Sequence, residues 1–272
     1  MTQTKNILDF YIRSNIHVGI SAGSLAWITL QNFELSNLKL IIFVIASTIL
    51  AYHFIRIKRK SELEITYQNW MDHHRRSLFF VNLFCAVLVV TISFHLRLNA
   101  FLILIPSAII TYFYVSKISG KYGFSLREVS GIKIVTIALI WAVVTVIFPL
   151  IQEGFELNCI VWIIFFQRVL FVFSITIPFD IRDLHIDNEK IRTIPSFFGV
   201  TTSKRIGQIA LLFFVVLEFF KSNDFRQPIL ILSIAILAII LLEKSRIDSK
   251  PFFISFWIEG IPILWLLLEI AF

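Results

Sequence analysis

Three carboxylates at helical spacing are the residues of this 272-residue sequence best placed to do chemistry. The run Ile177-Pro178-Phe179-Asp180-Ile181-Arg182-Asp183-Leu184-His185-Ile186-Asp187 sets Asp180, Asp183 and Asp187 at i, i+3 and i+7. A helix continuing through the run would align all three on one face. Like charges stacked in this way repel, so the stripe makes sense with a cation to neutralise it. Mg²⁺ suits the setting, because it binds through one or two carboxylates and completes its shell with waters and phosphate oxygens. Arg182, Lys190, Arg192, Lys204 and Arg205 stand close enough in sequence to hold further phosphate oxygens. The plainer reading is a solvated loop of mixed charge. Position weighs against it, since the stripe opens directly out of a long apolar run in a chain with only 18 acidic residues.

The elements that must position this stripe are membrane helices. Hydrophobic residues make up 57% of the chain, charged residues only 16%, and the mean hydropathy is +0.83. Soluble domains run to about a quarter charged. The apolar residues fall in continuous blocks, roughly 15–33, 38–55, 78–96, 99–116, 131–151, 159–179, 205–220, 228–242 and 252–271. A hydrocarbon core ~30 Å thick takes ~20 helical residues to cross, and continuous rather than alternating blocks select helices over strands. The first block is the weakest, diluted by Ser, Gly and His. The expectation is an all-α, polytopic membrane protein of about nine transmembrane helices, with residues 1–272 forming one membrane domain.

Charge gives an independent test of that count. With the N-terminus cytoplasmic, twenty of the 25 Lys and Arg residues fall on the inside and four on the outside, a strong positive-inside asymmetry. A basic total of +7 is therefore what a membrane chain carries by default, and it does not point to nucleic acid. Cys85 and Cys159 both fall in or at the edge of apolar segments, so neither a disulfide framework nor a thiolate metal site is expected. Outside connections are short. Two inside connections are long, about 56–77 and 180–204, and both carry aromatic residues, so ordered caps over the helix ends are expected there.

Asp180-x-x-Asp183-x-x-x-Asp187, followed by Lys190-x-Arg192-Thr193 and Gly199, resembles the second aspartate-rich motif of the UbiA superfamily of intramembrane prenyltransferases. Span count, orientation and the two long inside loops are similar as well, so the resemblance covers nearly the whole chain. It implies a UbiA-like helical bundle in which Asp180, Asp183 and Asp187 hold Mg²⁺ and the diphosphate of a polyprenyl donor. Transfer of the prenyl group to an aromatic or other lipid-soluble acceptor is the implied reaction, and the cell inner membrane the implied location. The sequence departs from the family at the first motif, an Asn-Asp-x-x-Asp type pattern expected near the inner end of the second span. This chain reads Ala51-Tyr52-His53-Phe54-Ile55-Arg56-Ile57-Lys58-Arg59-Lys60 there, and no carboxylate occurs between Glu34 and Glu62. His53 and Arg56 are the candidate substrate-binding residues in that place, with Arg182, Lys190 and Arg192 on the other side. Glu62, Glu64 and Asp72 are the acids that could reach in from the loop. The competing readings are a non-catalytic member of the fold that binds a lipid or isoprenoid, or a small transporter.

Five further residues stand out. Arg168 lies inside a span, where an ionisable side chain is costly and marks function or a buried partner. Its depth, ~18 Å from Asp180 at 1.5 Å per residue, is close to that of Glu218 in the next span. An Arg168–Glu218 ion pair is expected, with Glu259 as the competing partner. Asn82, within the third span, is expected to hydrogen-bond between helices. Tyr112, Phe113 and Tyr114 read as anchors at the membrane boundary first and as cavity lining second.

Overall fold

The computed structural model describes residues 2–116, 125, 131–184, 193–221 and 226–271, and among these it is helical with no strand. The helices are α1 Thr2–Arg13, α2 Ile16–Gln31, α3 Leu38–Lys58, α4 Ile65–His73, α5 Arg75–Ser93 and α6 Leu98–Val115. They continue as α7 Ile132–Glu153, α8 Cys159–Asp183, α9 Ile194–Glu218, α10 Arg226–Lys244 and α11 Phe253–Ala271. Eight of them, α3 and α5 to α11, are long and apolar enough to cross a membrane. The ninth expected span is α2, and its 16 residues fall short of the ~20 that a full crossing takes.

The dilution of that first block has a structural reason. α2 lies in the middle of the protein rather than against lipid, and most of its residues are buried. Gly19 and Gly23, one turn apart, bring it close to α3. A Cβ on Gly23 would lie 2.5 Å from Cγ1 of Ile45, and one on Gly19 2.7 Å from Cγ1 of Ile49. Small residues at this spacing are how membrane helices approach closely. α5, by contrast, presents Phe79, Phe80 and Phe84 outward at 60–66% exposure, as a lipid-facing helix should.

Helix ends are set by side chains the sequence makes visible. Asn37 caps α3 through the Leu40 amide at 3.0 Å, and Asn158 caps α8 through the Val161 amide at 3.0 Å. Thr193 caps α9 through the Ser196 amide at 3.3 Å. α9 then breaks at Gly199, whose φ of 79° and ψ of 161° only glycine adopts at ease, before continuing to Glu218. The long connection after α3 is ordered: a short 3₁₀ turn, Lys60–Glu62, leads into α4.

α2, α3 and α5 pack in sequence on one side, α7 to α10 on the other, and α11 closes the bundle against α2. Two helices depart from α geometry facing the interior. α7 carries a π turn over Val143–Ile147, and α11 opens with one over Phe253–Ile258. π turns recur at functional sites.

Two expectations about buried polar groups are corrected. Asn82 donates to Leu78 O of its own helix at 2.7 Å rather than across to a neighbour. The Arg168–Glu218 pair is not formed. Glu218 accepts from Gln167 at 2.8 Å and pairs with Lys221 at 2.9 Å. Arg168 donates to Thr29 Oγ1 at 3.2 Å and Thr145 Oγ1 at 3.5 Å, with its guanidinium 5.4 Å from the Trp265 ring centre. The depth estimate is not at fault. Successive residues on a helix point about 100° apart, so Gln167 faces α9 while Arg168 turns into the bundle centre. Glu259 is not its partner either among the described residues.

Candidate functional site

The C-terminal ends of α3 and α8 and the N-terminal end of α7 converge on one cavity of ≈ 1070 Å³. α1, α2, α4, α6 and α11 contribute to its walls. Its volume lies at the upper end of what small-molecule sites usually enclose. Much of the wall is apolar, including Val18, Ala22, Phe43, Ile140 and Val172. The charged residues come mostly from helix ends: Arg56 from α3 and Arg59 just after it, Lys133 from α7, and Asp180, Arg182 and Asp183 from α8. The cavity thus joins an apolar wall to a set of charged residues from helix ends.

Each carboxylate of α8 has a cation. Asp180, fully buried, pairs with Lys133 Nζ at 2.6 Å. Asp183 accepts from Arg182 Nε at 2.7 Å, and the Arg182 guanidinium also lies 5.5 Å from the Phe179 ring centre. Lys133 stands out in the sequence only as one of many inside cations. Its role becomes visible once α7 starts beside the end of α8.

The α3 wall is built differently. Arg56 Nη1 donates to Arg13 O at 2.6 Å and to the Tyr67 hydroxyl, which itself donates to Arg13 O at 2.9 Å. The Arg13 guanidinium lies over the rings of Tyr67 and Trp70 at 5.5 and 5.7 Å and pairs with Asp9 at 2.6 Å. Burial raises the phenol of Tyr67 above its ordinary pKa, with the Arg56 charge opposing. Arg56 therefore meets neutral oxygens and makes no carboxylate ion pair among the described residues. Its guanidinium is held by neutral oxygens and lines the cavity.

The expected site residues divide as follows. Asp180, Asp183, Arg182 and Arg56 line the one cavity. His53, on the same helix as Arg56, is not among the lining residues. Asp187, Lys190 and Arg192 lie outside the described residues. Of the loop acids, Glu64 lines the cavity, whereas Asp72 is turned to Lys60 at 2.5 Å. Tyr112 and Tyr114 line the cavity, the second of the two roles expected for them. Glu259 lines it too, from α11, a place the sequence reading did not anticipate.

Asp180 and Asp183, one turn apart, suit a single Mg²⁺ completed by waters and substrate oxygens. Among the described residues no group of three His, Cys, Asp or Glu is placed to hold a metal ion from the protein alone. The donor set thus fits an ion that arrives with an anionic ligand.

No protein-family profile matches the sequence, and no curated protein matches it significantly. Solved structures do resemble it in fold. One is a UbiA homologue from Archaeoglobus fulgidus bound to GPP and Mg²⁺, with a TM-score of 0.66 at 12% identity over 95% of each chain. The same homologue bound to DMAPP and Mg²⁺ gives 0.66 at 14% identity, over 96% of this chain and 98% of that one. A structure concerned with digeranylgeranylglyceryl phosphate synthase gives 0.55 at 18% identity over 98% of each chain. The fold is that of a UbiA-like membrane bundle.

Proposed function

We propose that this chain is a divergent member of the UbiA superfamily that transfers a prenyl group from a polyprenyl diphosphate to a lipid-soluble acceptor, with Mg²⁺. The observation that carries this is the pairing of two ionic walls with one apolar chamber. Asp180 and Asp183 line it together with the guanidinium of Arg56, which is held by neutral oxygens. A molecule with an anionic head and a long apolar tail matches both parts. The structural neighbours, solved with GPP or DMAPP and Mg²⁺, support the same reading.

In this account Asp180 and Asp183 hold the ion, with Asp187 as a third candidate ligand. Bound there, Mg²⁺ would supply charge to stabilise the departing diphosphate. Arg56 and Arg182 grip diphosphate oxygens directly, and Lys190 and Arg192 are further candidates for that role. Where the family places its first acidic motif, this chain offers guanidinium from Arg56 and Arg59 instead. Lys133 pairs with Asp180 and holds it oriented. The apolar wall excludes water, which protects an allylic cation from hydrolysis and strengthens each electrostatic contact. N-terminus and caps then face the cytoplasm.

The test is transfer itself. Membranes containing wild type, given radiolabelled geranylgeranyl diphosphate and Mg²⁺, are expected to form a labelled lipid that Asp183→Ala membranes do not. Equal labelling from both would remove the motif from the reaction. Tight donor binding without any product would favour a non-catalytic isoprenoid-binding role.

A further inference from the structure

Glu259 is a carboxylate on the cavity wall that neither the metal arm nor the anion arm uses. Among the described residues it makes no hydrogen bond and no ion pair. Arg56, Arg182, Tyr52 and Tyr67 act on it electrostatically, yet none of them hydrogen-bonds to it. It does not join Asp180 and Asp183 in a metal-holding group. An ionisable group inside a membrane span is costly, and such groups line ligand paths.

The backbone around Glu259 is fixed with some care. It directly follows the π turn Phe253–Ile258, whose extra residue rotates everything after it by about 100° relative to an unbroken helix. The Phe256 carbonyl in that turn accepts from His17 Nε2 at 2.9 Å. The His17 ring stacks on Phe256 at 5.2 Å, and its Nδ1 accepts from the Tyr11 hydroxyl at 2.9 Å. Gly260 completes the clamp, because a Cβ there would lie 2.5 Å from Phe256 O. Residues of α1 and α2 thus hold α11 in the register that turns Glu259 to the cavity.

We propose that Glu259 binds the acceptor, taking the hydrogen of a hydroxyl on an otherwise apolar, uncharged molecule and turning away acceptors with an anionic head. A carboxylate in a water-poor chamber accepts strongly from O–H. It repels a second carboxylate or phosphate brought alongside, which is specificity by repulsion. The proposal rests on the transferase reading for the word acceptor, but its chemistry concerns the cavity alone.

The experiment compares two probes of matched shape, 4-octylphenol and 4-octylbenzoate, bound to the full-length protein in nanodiscs. Calorimetry or tryptophan fluorescence reads the binding, since Trp141 lines the cavity. Glu259→Gln and Glu259→Ala are each expected to shift the phenol-to-benzoate affinity ratio toward benzoate by about tenfold. Glu259→Asp, which keeps the charge, is expected to hold the wild-type preference. A ratio within about twofold of wild type in a folded neutral variant would overturn the proposal. So would loss of geranyl diphosphate binding in Glu259→Gln, which would assign the residue to the donor. Geranyl diphosphate binding by wild type is measured in parallel. Its absence would count against the transferase reading while leaving the phenol preference to decide Glu259.

Discussion

Removing the ammonium of Lys133 would take from Asp180, 0% exposed, the ion pair at 2.6 Å. Breaking one side of a buried pair costs about 3–5 kcal/mol, whereas replacing both members with apolar residues can be nearly neutral. Lys133→Met is therefore expected to lower thermal stability in detergent, and Lys133→Met with Asp180→Leu to recover much of it while losing the metal arm. Equal stability of the single variant and wild type would show that the pair carries no such cost. Arg56→Gln is a milder change, since its partners are neutral oxygens. It is expected to weaken binding of geranylgeranyl diphosphate about tenfold, with little loss of stability. At this scale the sequence was half legible. The spacing of Asp180 and Asp183 announces itself, because helical periodicity turns sequence distance into a shared face. The partners do not. Lys133 lies 47 positions before Asp180, and its contact with Asp180 depends on where α7 enters beside α8. The Arg168 expectation failed for the same reason: rise along a helix can be counted, but which way a side chain points around it depends on neighbours.

At the scale of elements, α2 is where local composition and global position diverge. Its Gly and Ser residues weaken it as a transmembrane signal, and they do so because it packs within the protein. Gly23→Val would push a branched side chain into Ile45, 2.5 Å from the Cβ position. Overpacking of this kind costs about 1–3 kcal/mol, so a lower unfolding temperature in detergent is expected, against little change for a Thr201→Val control on the exposed face of α9. If both behaved alike, the close α2–α3 approach would be wrong. The π turns of α7 and α11 had no sequence signal, because an i→i+5 register is a response to packing and not a propensity. The caps at Asn37, Asn158 and Thr193 are the opposite case: short polar side chains directly ahead of apolar runs are readable without a structure.

At the scale of the whole molecule, the charge asymmetry of the loops and the convergence of α3, α7 and α8 at one end agree. The proposed orientation makes a prediction with residues the chain already has. Cys159 is exposed at the start of α8, on the proposed outer side, and Cys85 is buried in α5. A membrane-impermeant maleimide is expected to label Cys159 from outside intact cells and to leave Cys85 unmodified; labelling of Cys159 only in inverted vesicles would reverse the topology. The fold class was legible throughout, since membrane crossing imposes itself on composition. The cavity was not, because it is assembled from eight helices and its wall residues are scattered along the whole chain.

The central claim is that this cavity holds a prenyl diphosphate through Asp183 and Mg²⁺. Its most direct test is the affinity of the purified protein for geranylgeranyl diphosphate, with and without Mg²⁺, in wild type and Asp183→Ala. The account predicts tight binding in wild type that falls at least about tenfold when either the ion or the carboxylate is removed, with no further loss when both are. Binding indifferent to Mg²⁺ and to Asp183 would contradict it, leaving a cavity that accepts the molecule without the chemistry proposed for it.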